Sequence, residues 1–173
     1  MTHGTRPRQK ERMDKHADFF SAVAALGKIG QLDVDALRLL YRIECSGEDF
    51  YNLLADRIGD ARAADLLRRN GREERGHAER VRRVIGIKLG HTYEPTEEDQ
   101  ARYPIPLPDT IGPELFPLIV QGELDGDVGY RRWADRESDP EAQRLLRLNG
   151  REETTHGERV REVIALVSGP KPD

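Results

Sequence analysis

The chain has 173 residues, 35% of them charged and 36% hydrophobic, with a net charge of -4. That is enough for one domain with a real core, and the balance suits a small helical bundle with a solvated outside and a narrow apolar seam. The charge gives no reason to expect a nucleic-acid partner, and the lone Cys45 excludes both an internal disulfide and a four-cysteine metal site.

Residues 1–12 are polar and are expected to be loose, and the basic-leaning run from Arg6 to Lys15 reads as a solvated tail. No apolar core of a secretory signal occurs there, and no run approaches the ~20 apolar residues of a membrane span, so a cytoplasmic protein is expected. Residues 13–28 suit a short helix with Phe19, Phe20, Val23 and Leu26 on one side. Asp33 or Asp35 then caps a long helix, on which Leu37, Leu40, Tyr41, Glu44, Gly47, Tyr51, Leu54 and Ile58 recur at helical spacing. Gly59-Asp60 reads as a tight turn. A second long helix follows over 61–88, and on its apolar stripe lie Asn70, Glu74 and His77.

Residues 89–112 hold Pro95, Pro104, Pro106 and Pro108 and form a linker of about 24 residues. A third helix starts at Pro113 or nearer Pro117, with Glu123, Gly126 and Tyr130 among its apolar positions. Asp139-Pro140 is a clear helix start, and the fourth helix runs to about Val167 with Asn149, Glu153 and His156 inward. The domain is thus expected over 33–167, as hairpins 33–88 and 113–167 joined by a crossover, with an N-terminal segment 1–32 and a tail 168–173. Extended, the crossover reaches up to ~80 Å, ample for a bundle of ~40 Å, so the second and third long helices are expected to run parallel.

The two hairpins are copies of one another. A shift of 79 residues lays 44–85 on 123–164 without a gap, and about 23 of roughly 42 pairs are identical. Each copy carries one glutamate (Glu44, Glu123), a tyrosine (Tyr51, Tyr130) and a Glu-x-x-His (Glu74 and His77, Glu153 and His156). Glu44 and Glu74 stand about equally far along their helices from the turn between them, and positions i and i+3 share a helix face. Packing the hairpins face to face therefore brings four carboxylates and two imidazoles to one depth. Four carboxylates do not share a dry core unpaired, and no lysine interrupts these stripes. Two divalent cations balance them, and carboxylates with one imidazole per metal suit iron or manganese, with zinc a further candidate.

This ligand pattern resembles that of the ferritin-like di-iron carboxylate proteins, which place one Glu on each of two helices and Glu-x-x-His on each of the other two. Within them the chain looks most like a rubrerythrin-type domain lacking the rubredoxin module. The resemblance implies an all-α, ferritin-like four-helix bundle with two iron ions. Glu44 and Glu123 would be terminal ligands, Glu74 and Glu153 bridging ligands, His77 and His156 one ligand to each metal, and Tyr51 and Tyr130 would support the ligands from behind. It further implies an oxidoreductase acting on Fe(II), O2 or peroxide with an external electron donor, and a homo-oligomer, foremost a dimer. Iron binding or storage, and oxygenation of a small substrate, stand as alternatives.

Rubrerythrins carry a further glutamate where this chain has Gly126, and the small Gly47 and Gly126 would leave room beside the metals for a substrate. Glu48 and Asp127, one turn from Glu44 and Glu123, are candidate extra ligands. Asn70 and Asn149 are candidates for supporting the ligands or for plain packing. Glu73, Glu152, Glu79 and Glu158 read as solvated partners of nearby arginines. Cys45 reads as structural, pointing away from the site, and His3, His16 and His91 fall outside the duplication.

Overall fold

The structure is a computed structural model and describes residues 16–169; the expected loose segment 1–12, the basic run from Arg6 to Lys15 and the last residues of the tail lie outside that range. The described residues are all-helical. They form α1 (Phe19–Leu26), α2 (Val34–Arg57), α3 (Ala61–Leu89), the single turn α4 (Glu97–Gln100), α5 (Leu115–Ala134) and α6 (Pro140–Ser168). No helix among them is long and apolar enough to cross a membrane.

Aspartates start most of these helices by accepting a hydrogen bond from an otherwise orphaned backbone N–H. Asp33 accepts from Ala36 N at 2.8 Å and Asp60 from Ala63 N at 2.8 Å, while Asp139 accepts from both Glu141 N and Ala142 N at 2.9 Å. Gly59 and Gly90 take the left-handed conformation, both at φ 73°, that closes the first hairpin's turn and ends α3. The short helix is narrower than 13–28 and turns differently from expectation. Asp18 and Ser21 form a reciprocal cap, Ala22 and Leu26 face the core, and Phe20 and Val23 stay 41% exposed.

The helices pair as two antiparallel hairpins, α2 with α3 and α5 with α6, and α3 also packs along α6. Side chains fix the directions. Asn70 donates to the carbonyl of His156 and Asn149 to that of His77, each at 3.3 Å, so α3 and α6 are antiparallel. Tyr51 of α2 reaches Glu123 and Tyr130 of α5 reaches Glu44, so α2 and α5 are antiparallel too. It follows that α3 and α5 run in the same direction.

The segment between them must therefore travel the length of the molecule, and it does so along α2. Arg38 meets Asp99 at 2.7 Å, Arg42 donates to Ala101 O at 2.7 Å, Ser46 Oγ accepts from Tyr103 N at 3.0 Å, and Arg57 donates to Leu107 O at 3.0 Å. Both partners rise in number together. Nineteen helical residues at ~1.5 Å and eight extended ones at ~3.5 Å cover the same ~28 Å, so the strap is nearly straight. Sequence reading foresaw a crossover but not α4, whose Thr96 cap and buried Asp99 pin the strap to Arg38 and Tyr93.

Apolar residues fill both ends of the interior. One cluster includes Leu37, Leu40, Val84 and Leu145, and the other includes Leu54, Leu67, Phe116 and Val163. Between them lies a polar layer at Glu44, Glu74, His77, Glu123, Glu153 and His156. Because Asp139 holds two backbone donors, Asp139→Ala should lower stability by about 1 kcal/mol, a few degrees of melting temperature, whereas Asp139→Ser should recover most of it. Thermal melts followed by circular dichroism would check this, and an unchanged alanine variant would contradict it.

Candidate metal centre

The polar layer is built from one glutamate each on α2 and α5 and a Glu-x-x-His each on α3 and α6. It divides into two overlapping groups. Glu44, Glu74, His77 and Glu153 offer ligand atoms all within 4.8 Å of one another, and so do Glu74, Glu123, Glu153 and His156. Glu74 and Glu153 belong to both. Both imidazoles are fully buried, and the carboxylate side chains of Glu44, Glu74, Glu153 and Glu123 are only 5, 8, 9 and 11% exposed. The imidazole rings stack at 5.1 Å between centroids.

The histidines show what the layer is suited to hold. Nδ1 of His77 lies 3.3 Å from Glu44, 3.3 Å from Glu153 and 3.6 Å from Glu74, yet makes no hydrogen bond. Nδ1 of His156 lies 3.2 Å from Glu74 and 3.4 Å from Glu123 and Glu153, again without a hydrogen bond. A buried ring nitrogen left unbonded among three carboxylates is costly, and either a proton on it or a cation where the nitrogen and the oxygens converge relieves that cost. The residues present thus fit a pair of divalent ions.

The opposite ring nitrogens are held from across the hairpins. His77 Nε2 meets Glu152 at 3.1 Å, and His156 Nε2 meets Glu73 at 3.2 Å. Donation from Nε2 leaves the Nδ1 lone pair free for a ligand, the arrangement that orients metal-binding imidazoles generally. Arg159 in turn grips Glu73 at 2.7 and 3.0 Å and Asn70 Oδ1 at 2.9 Å. Arg80 grips Glu152 and Asn149 in the same way. Glu73 is held far below the usual carboxylate range, mainly by His156 with Arg159 adding. At Glu152 burial pushes the carboxyl up, but His77 and Arg80 outweigh it and hold it low.

Glu73 and Glu152 are therefore more than solvated partners of arginines, and each serves the histidine of the other hairpin. Sequence reading passed over them because they sit one residue off the inward-facing stripe. A signal was there: Asn70, Glu73 and Arg80 all recur unchanged as Asn149, Glu152 and Arg159, whereas the intervening Arg75 and Gly76 become Thr154 and Thr155. The tyrosines cross over too. Tyr51 donates to Glu123 and Tyr130 to Glu44, and burial with the adjacent carboxylates pushes both phenols well above their ordinary pKa.

Other expectations fall elsewhere. Glu48 pairs with Arg75 at 2.6 Å and Asp127 with Arg131 at 2.5 Å, so neither joins the two groups. Glu79 pairs with Arg82 as expected. Gly47 and Gly126 do not leave room for a substrate. A Cβ on Gly47 would lie 3.0 Å from Glu74 Oε2, and one on Gly126 would lie 3.4 Å from Glu153 Cγ, so the two shared glutamates already occupy that space. Two surface clefts, of about 540 and 370 Å³, are lined by residues such as Arg83 and His91, or Asp49 and Tyr103, and reach none of the six residues. Compared with known protein families, curated proteins and solved structures, the chain finds no match in any of the three.

Without metal the layer is electrostatically frustrated. Burial, followed by the facing Glu153, pushes Glu74 well up, and the same two causes push Glu123 up to about 8. Burial opposes charge on both imidazoles, but the surrounding carboxylates win and raise them well above their ordinary range. Burial also pushes Glu153 up, but the two imidazoles hold it well below a normal carboxylate. A group raised by folding contributes stability that is complete below its unfolded pKa and is lost as pH rises through its folded one. For Glu123 that window runs from about 4.3 to about 8, and the imidazoles act in the same direction from ~6.5 upward. The depressed Glu73 and Glu153 act only at lower pH.

Metal-free protein should thus melt at progressively lower temperature between about pH 5 and pH 9, and saturating Zn(II) or Mn(II) should flatten the trend. A metal-free melting temperature that rises over that range would contradict this electrostatic account. Separately, Glu73→Ala and Glu152→Ala should each weaken metal binding about 10- to 100-fold in chelator competition. Glu79→Ala should leave it unchanged. Equal effects in all three would remove the special role of the crossing glutamates.

Proposed function

We propose that this chain is a ferritin-like four-helix bundle of the rubrerythrin type that holds two metal ions, iron foremost, and works as a di-iron oxidoreductase. The observation that carries the reading is the pair of unbonded, buried Nδ1 atoms, each ringed by three carboxylates. Four carboxylates against two divalent ions also balance in charge, and the mixed carboxylate and imidazole set suits iron or manganese. Glu44 and His77 would serve one metal and Glu123 and His156 the other, with Glu74 and Glu153 shared. Iron held there would supply the redox change that couples oxidation of Fe(II) to reduction of O2 or peroxide.

The chain's own residues prepare the site for that chemistry. The apolar clusters on either side keep bulk water out, which strengthens every charge interaction within. Glu152 and Glu73 hold a proton on each Nε2, fixing the tautomer that turns Nδ1 inward. Tyr130 and Tyr51 hold their phenolic protons on one oxygen of Glu44 and Glu123, which leaves the other oxygen of each for a metal. Reduction of O2 or peroxide would draw its electrons from Fe(II) as substrate or from another external donor. The oxygenase alternative is the less supported, because Glu74 and Glu153 fill the space beside Gly47 and Gly126.

Stopped-flow absorbance after two Fe(II) per chain meet O2 tests the proposal. Fast formation of ferric product is expected. His77→Ala and His156→Ala should each abolish the fast phase, and the double variant should be little worse than either single one, as for residues acting as a unit. Glu79→Ala should react at the wild-type rate. Wild-type protein that binds metal yet oxidises Fe(II) no faster than buffer would refute the oxidoreductase and leave a binding or transfer role.

A further inference from the structure

The duplication treats its two matching outer faces differently. On α2 the face formed by Leu39, Arg42, Ser46, Asp49 and Leu53 lies at least half-buried beneath the strap. Arg42 stacks over Tyr103 and donates to Ala101 O, Ser46 accepts from Tyr103 N, and Asp49 meets Arg102 at 3.3 Å. Seventy-nine residues on, the same face of α5 is exposed from Glu114 to Val128, and among the described residues only its end at Arg132 is partly covered, by the backbone at Gly27 and Ile29. Leu118 is 69% and Val128 57% exposed, and a Cβ on Gly122 beside them would meet nothing within 4 Å.

That face is a regular seam. Glu114, Leu118, Gln121, Asp125, Val128 and Arg132 are spaced by steps of 4, 3, 4, 3 and 4 residues, the spacing of a helix that packs along another helix. The seam is also self-complementary when reversed. Pairs whose numbers sum to 246 are Glu114 with Arg132, Leu118 with Val128, and Gln121 with Asp125. An antiparallel second copy would set acid against base at both ends, apolar against apolar inside them, and amide against carboxylate at the centre. Gly122 permits close approach there. Among the described residues neither Glu114 nor Arg132 has an ion-pair partner; Arg132 donates only to the carbonyls of Gly27 and Ile29, at 3.3 and 3.2 Å.

We propose that the chain forms a twofold dimer in which α5 lies antiparallel against α5 of a second copy along this seam. Such a contact is isologous, so one patch serves both partners. It does for the second hairpin what the strap does for the first, and it leaves the metal layer on the opposite side of α5 undisturbed.

Sedimentation velocity of the full chain tests this, with helicity and metal binding as controls for folding. The wild type should be a dimer. Leu118→Glu with Val128→Glu should raise the dissociation constant at least 100-fold while helicity is unchanged. The geometry is tested by crosslinking, since Cys45 is buried. Leu118→Cys with Val128→Cys should oxidise to a covalent dimer. Leu118→Cys alone should not, because its counterpart would sit ten residues along, about 15 Å away, beyond disulfide reach. A wild type that stays monomeric up to about 100 µM, a weak-affinity limit, would overturn the proposal; this includes the outcome in which residues 1–15 cover the seam instead. A dimer indifferent to the double glutamate variant, or one crosslinked by Leu118→Cys alone, would overturn it equally.

Discussion

The structure depends on four carboxylates facing two imidazoles in a layer that is dry on both sides. Isolated burial of these charges would be far more costly than the net stability of a domain this size allows. What holds the layer together is that most of its polar groups have a placed partner, and that partner comes from the other hairpin. Glu152 answers His77, Glu73 answers His156, Tyr130 answers Glu44 and Tyr51 answers Glu123. Neither hairpin can satisfy its own polar residues alone. The site is therefore also the interface, and the polar layer specifies the register in which the two copies dock.

This exchange explains the topology. Crossed pairing needs α3 antiparallel to α6 and α2 antiparallel to α5, which puts α3 and α5 in the same direction and forces a long connection. The strap satisfies that need with prolines, which suit an extended path, and with a side chain of α2 at each stage. Buried Asp99, bonded to Arg38 and Tyr93, anchors its start. The connection thus covers one outer face of the bundle as a consequence of the route it must take, and the duplicated face on α5 stays open.

Much of this was legible in the sequence. The all-helical class, the four long helices and most of their caps followed from apolar periodicity and from aspartates at the turns. The six residues of the layer stood out because charged residues interrupted apolar stripes twice at one interval. What was not legible depended on how the hairpins meet. Glu73 and Glu152 lie just off the inward-facing stripe, and only the antiparallel approach of α3 to α6 turns them toward a histidine. Gly47 and Gly126 looked like vacant room, because sequence does not show that Glu74 and Glu153 lean over them. Phe20 and Val23 were grouped with Leu26 on one side of the short helix, yet they stay exposed while Leu26 is buried, because a helix this short does not let periodicity decide which side faces in.

The central claim is that the layer is one dinuclear site made of two equivalent halves. Anomalous diffraction from crystals grown with Fe(II) under anaerobic conditions tests it most directly. The account predicts two peaks of similar height within the layer, one beside Glu44 and His77 and the other beside Glu123 and His156, with Glu74 and Glu153 lying between them. A single peak, or iron bound only at surface carboxylates such as Glu48 or Asp125, would contradict it.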